Sequence, residues 1–267
     1  MTAAQPSAAS APVSTLELFL DLVFVFTVTQ ITSLVVHPHG AADYLGASLV
    51  LLIVWWMYSG YIWLTNNLGT GNTAYRLLMF GGMGGFLLMA LSIPHAFGAA
   101  GLAFALGYLA VTLIHAGLFK HAPNSSAQAI RGIFGYNLAA ALLLLVAALL
   151  PGQALACWGL AVGVLVISGV FRRESGFQLR PAHFAERHGL ILIIALGESV
   201  VAIGVGAGDS AITWRLALGA LLGLALSAAL WWSYFSGDDE RAARALEPPR
   251  PRDARTWRCG DSASATC

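Results

Sequence analysis

The sequence predicts an all-α fold, a polytopic transmembrane helix bundle of about eight spans with both termini cytoplasmic, and three observations predict it. First, 58% of the residues are hydrophobic and only 10% are charged, against about 25% in an average soluble domain, and the mean hydropathy is +0.73. A water-soluble core cannot use that much apolar surface without exposing it, whereas a hydrocarbon phase can. Second, the apolar residues come in continuous runs rather than alternating, as helices of about 20 residues crossing a core roughly 30 Å thick require. Only helices and closed barrels satisfy their backbones in that phase. Third, the cations fall on alternate connections between the runs.

In order, the runs are Leu18–Val36, Tyr44–Leu64, Leu77–Ile93, Ala99–Phe119, Ile133–Leu150, Ala154–Phe171, Gly189–Gly206 and Leu216–Phe235. Breaker residues separate them, as in His37-Pro38-His39-Gly40, Asn66-Asn67-Leu68-Gly69 and Pro151-Gly152. Arg76, Lys120, Arg131, Arg172, Arg173, Arg180 and Arg187 then fall on one side of the membrane. The tail residues Arg241, Arg244, Arg250, Arg252, Arg255 and Arg258 join them, and Arg215 falls on the other side. The positive-inside rule makes the first side the cytoplasm and the cell (cytoplasmic) membrane the expected location. A missed or invented span would scramble this alternation, so the asymmetry supports the span count as well.

The segment Met1–Ser14 has no Lys or Arg, and Glu17 and Asp21 interrupt the first run, so that run reads as a retained helix rather than a cleaved signal. The expected organisation is a short N-terminal tail (1–16), a transmembrane domain (17–240) and a Pro/Arg-rich tail (241–267). That last tail lacks the apolar residues to order itself and is expected to be disordered. Small-residue pairs at helical spacing, Gly81 and Gly85, Gly159 and Gly163, Gly219 and Gly223, allow close backbone approach in lipid.

Ionisable groups within the spans carry the functional reading. Glu17 and Asp21 are four residues apart and share one helix face at the cytoplasmic edge. Two readings of them stand. One is solvation among lipid headgroups, favoured by the helix N-terminus. The other is an acidic cytoplasmic vestibule for a cation or a proton, together with Glu186, Arg187 and His188. Glu198 lies ten residues past His188, about 15 Å along a helix and near mid-bilayer. A charge at that depth costs roughly 2.5 kcal/mol or more. Glu198 is therefore either a candidate intramembrane relay or a structural hydrogen-bonding partner of another helix. Arg187 lies eleven residues before it, about 20° around the helix but about three turns away, too far for a direct pair. His183, Glu186 and Arg187 are spaced to interact if that helix begins early.

No HExxH, phosphate loop or GxSxG elbow is present, and Cys157, Cys259 and Cys267 and the scattered histidines have no metal-ligand spacing. Neither an enzyme nor a cofactor or metal is expected. A formal net charge of +1 gives no nucleic-acid footprint. The partners expected are the lipid bilayer, a small solute or ion, and a second copy of the chain in a homo-oligomer.

The stretch Glu17-Leu18-Phe19-Leu20-Asp21-Leu22-Val23-Phe24-Val25-Phe26-Thr27-Val28-Thr29-Gln30 resembles the first-helix signature of the bacterial low-temperature-requirement A family. Glu186-Arg187-His188-Gly189, running on to Gly197-Glu198-Ser199, resembles that family's charged loop leading into a helix with a Gly-Glu-Ser centre. Trp231-Trp232 to Asp238-Asp239-Glu240 is similar as well, and order and spacing agree over about the first 245 residues. The resemblance implies a multi-pass bacterial membrane protein associated with growth in the cold, and it carries over no catalytic or ligand-binding residue. Family members typically continue into further hydrophobic helices, so the Pro/Arg-rich end reads as a truncated or frame-shifted C-terminus. Movement of a small solute or ion, with Glu198 in or near the pathway, is the expected function. A non-transporting sensor, scaffold or lipid-interacting factor is the alternative. A water-filled cavity reaching Glu198 would point to the first, and a Glu198 capped by donors to the second.

Overall fold

The computed structural model describes residues 14–36, 38, 40–67, 73–119, 124–171, 181–208 and 210–236. Among them it has eight α-helices: α1 (Thr15–Val36), α2 (Ala41–Asn67), α3 (Thr73–Ser92), α4 (Gly101–Phe119), α5 (Asn124–Leu149), α6 (Ala154–Phe171), α7 (Pro181–Ala207) and α8 (Trp214–Phe235). All eight are long and apolar enough to cross a membrane. The 1–13 part of the N-terminal tail, His37, His39, Lys120, Arg172, Arg173, Arg180, the 241–267 tail and the side chains of Arg131 and His183 lie outside the described residues.

Helix ends follow local chemistry. Ser14 and Glu17 form a capping box on α1: Glu17 N–H donates to Ser14 Oγ (3.4 Å), and Ser14 N–H donates to Glu17 Oε2 (2.7 Å). Short 3-10 turns containing Pro94 and Pro151 precede α4 and α6. Gly208 ends α7 at φ +50°, a left-handed conformation that suits glycine, and its N–H donates to Gly204 O. Thr213 caps α8 by accepting from Leu216 N–H at 3.3 Å.

Two helices begin well before their apolar runs. Helix α5 starts at Asn124 and α7 at Pro181. Proline fits the first turn, where its missing N–H has no helical partner to lose. Polar residues in an opening turn leave no apolar signature, so the sequence reading begins both helices late. The consequence matters for α7, because Glu186, Arg187 and His188 sit on the helix and not in a loop before it.

Helices α3 to α6 pack as successive neighbours, while α2 runs through the interior against α1, α4, α6 and α7. Its Ile53, Val54, Met57, Tyr58, Tyr61, Ile62 and Leu64 are buried. Helix α1 rests on α2, α3 and α7, and α8 packs on α7 with no buried residue of its own. Exposed apolar side chains such as Leu91, Leu160, Val170, Leu221 and Leu226 suit contact with lipid tails.

Of the three glycine pairs, the first does the closest packing. A Cβ at Gly85 would stand 3.2 Å from Gly107 O, and one at Gly107 would stand 3.0 Å from Gly85 O, so α3 and α4 touch backbone to backbone. Gly223 meets Ile203 of α7, whereas Gly159 and Gly163 face open space. Trp56 Nε1 donates to Asn137 Oδ1 at 3.0 Å and ties α2 to α5 within the apolar interior.

Candidate functional site

Helix α7 meets α1 along a parallel seam. Its contacts pair Asp21 with Arg187 and Thr29 with Glu198, offsets of 166 and 169 residues, so the two helices run in the same direction in nearly constant register. One end of the seam is ionic. Arg187 is 0% exposed, Asp21 0% and Glu17 3%. Arg187 Nη1 lies 3.2 Å from Glu17 Oε1, and Nη2 donates to Asp21 Oδ1 in a short, charge-assisted bond. Two carboxylates on one turn of α1 thus share one guanidinium from α7.

Helix α2 completes the cluster. Tyr58 donates its hydroxyl to Asp21 Oδ1 at 2.7 Å, and its ring stacks on Phe24 with centroids 3.8 Å apart. Thr65 accepts from Arg187 Nη1 at 2.8 Å and donates to Ile62 O at 3.0 Å. Tyr58 and Thr65 are seven residues apart, two turns, and so present one face of α2 to the ions. Glu17 has a double role, since its Oε2 also accepts from the Ser14 hydroxyl at 2.9 Å. Two polar atoms of the cluster are buried without a hydrogen-bond partner: Asp21 Oδ2 and Arg187 Nε.

The residues expected as a vestibule therefore separate. Glu17, Asp21 and Arg187 come together, Glu186 is exposed, and His188 is partly buried with its ring edge-on to Trp55 at 6.3 Å. Solvation of Glu17 and Asp21 among headgroups does not hold, because an arginine from α7 covers them and α2 closes the remaining side. Glu198 is half-buried further along the same seam, where its Oε1 accepts from Thr29 at 3.2 Å. It lines neither of two described cavities. One of these opens beside Ser14, Phe19 and Arg76, and the other lies between Leu34, Gly46, Phe97 and Pro151.

Sequence reasoning missed Tyr58 and Thr65. Their signal was slight: a hydroxyl at i and i+7 on a helix that carries several other polar residues, Ser48, Ser59 and Tyr61 among them. The capping box was missed as well, although Ser14-x-x-Glu17 ahead of an apolar run is its signal.

Eight membrane-length helices among the described residues, three of which enclose a buried ion cluster, define a multi-pass membrane protein. The chain belongs to the bacterial low temperature requirement A protein family, whose model matches residues 12–259. It is also 28% identical over 250 residues to the uncharacterized protein RA0937 of Rhizobium meliloti (strain 1021), a match covering 86% of this chain and 60% of that relative. The chain thus spans about three-fifths of the length of the relative it matches.

Proposed function

We propose that the chain lies in the bacterial cell membrane with both termini in the cytoplasm and moves protons or a small cation through the region between α1, α2 and α7. One observation carries this reading. Asp21 is fully buried, its Oδ1 is saturated by Tyr58 and Arg187, and its Oδ2 has no donor. A buried carboxylate oxygen without a donor is held at a cost that an arriving proton or cation relieves. Ionisable groups facing the interior of a membrane bundle ordinarily mark such pathways.

The orientation rests on the distribution of cations. An impermeant thiol reagent added outside should label Pro38→Cys and spare Asn124→Cys; the reverse pattern would invert the topology. The function itself is tested by flux in proteoliposomes under an imposed pH or monovalent-cation gradient, where the protein is expected to exceed protein-free vesicles clearly and equal rates would end the proposal. In the same vesicles Glu198→Gln should slow flux and flatten its pH dependence while thermal stability stays nearly unchanged, because an amide oxygen still accepts from Thr29. Wild-type flux with an unchanged pH profile would remove Glu198 from the pathway.

A second reading, a non-transporting sensor, scaffold or lipid-interacting factor, is favoured by the donor that Thr29 supplies to Glu198. The family's description, a low temperature requirement, makes growth in the cold the condition in which we expect loss of the protein to matter.

A further inference from the structure

A second set of buried polar atoms lies away from the α1–α7 seam. Tyr75 Oη on α3, and Tyr108 Oη and Thr112 Oγ1 on α4, have no hydrogen-bond partner, and His115 Nε2 lies against the Gly60 backbone of α2 without meeting full hydrogen-bond geometry. The four residues are only 7%, 0%, 1% and 5% exposed. Tyr108, Thr112 and His115 stand at i, i+4 and i+7, so they form one stripe along α4. At its His115 end the stripe looks toward α2. The His115 ring lies 5.4 Å from the Tyr61 ring, and a Cβ at Gly60 would stand 3.1 Å from His115 Nε2.

Thr112 is the informative member. Thr27, Thr32, Ser48, Ser92 and Ser199 all return their hydroxyls to the carbonyl four residues earlier. Thr112 does not, so its hydroxyl is left for another partner. Tyr61 bridges the stripe to the rest of the interior. Its hydroxyl donates to Val111 O at 3.1 Å, and on α2 it stands three residues after Tyr58 and four before Thr65, both members of the ion cluster. Polar groups thus succeed one another from Tyr108 through Thr112 and His115 to Tyr61, and along α2 to the Tyr58 and Thr65 side of the ion cluster.

Apolar voids in proteins stay dry, whereas polar ones that offer several partners hold ordered water. We infer that Tyr108, Thr112 and His115 line a buried water-binding track in the interior of α2, α3 and α4 that carries protons to the Glu17–Asp21–Arg187 cluster. Its ligand is water, and its protons pass along α4 rather than along the seam that holds Glu198. Among titratable groups, Tyr61 of α2 faces His115 with ring centroids 5.4 Å apart, and Tyr108 stands two turns before it on α4. The proton-carrying part rests on the transport proposed above, while the water site stands independently of it.

X-ray radiolysis footprinting of the intact chain in nanodiscs tests the site directly, because hydroxyl radicals formed from bound water mark the side chains that touch it, however deeply buried. Tyr108 and His115 are expected to be modified measurably faster than the likewise buried neighbours Phe104 and Trp158. Modification no faster than theirs would overturn the inference. Thr112→Val removes one water anchor at nearly constant volume and should lower Tyr108 modification severalfold; an unchanged rate in a folded variant would also overturn it. Flux separates the two claims. A dry stripe in a protein that moves protons overturns the track alone. A hydrated stripe in a protein without flux overturns the proton-carrying role together with the proposed transport.

Discussion

Replacing Arg187 by Leu is expected to destabilise the bundle more than any other single change at the seam, by about 3–5 kcal/mol. Leucine fills part of the space but leaves Asp21, 0% exposed, and Glu17, 3% exposed, without their shared cation in a medium that solvates neither. Thr65 also loses the donor it accepts from. The cost of removing one member of a buried pair lies mainly in the charge left behind. A triple variant, Arg187→Leu with Glu17→Gln and Asp21→Asn, should therefore recover about half of the loss or more, since it leaves no buried ion uncompensated. Thermal or denaturant unfolding in detergent reads both effects. An Arg187→Leu protein within about 0.5 kcal/mol of wild type would mean that the guanidinium is solvated rather than enclosed.

Much of the fold was legible in the sequence because lipid imposes a simple rule: a helix that crosses it must be apolar for its whole length. Helix α6 runs over Ala154–Phe171, as its apolar run requires. The starts of α5 and α7 were not legible, because polar opening turns read as loop. The site was legible by halves. Spacing alone puts Glu17 with Asp21, and Arg187 with Glu198, on common helix faces, and both faces turn out to meet across one seam. What spacing cannot carry is a contact between positions 166 residues apart, so the enclosure of Asp21 by Arg187 was out of reach. The same limit hid Tyr58 and Thr65, which on their own helix look like ordinary packing residues. The glycine pairs show it too: three have the same spacing, yet the contact of Gly85 with Gly107 depends on which helix lies opposite.

The second large effect concerns Asp21. Asparagine keeps the shape of the side chain, its oxygen still accepts from Tyr58, and it neither titrates nor carries charge. For a cation about 4 Å away at an effective dielectric near 20, loss of that charge removes about 4 kcal/mol of attraction, several hundredfold in binding. For a proton the loss is complete, because the amide has no site to take it. Stability should suffer less than in Arg187→Leu, since Glu17 remains 3.2 Å from the guanidinium. The decisive measurement is proton and monovalent-cation flux in proteoliposomes containing wild type or Asp21→Asn, with reconstitution of folded protein matched. We expect flux in the wild type and none above protein-free vesicles in Asp21→Asn; an Asp21→Asn protein that moves protons or cations at the wild-type rate would contradict a pathway through the Arg187 cluster.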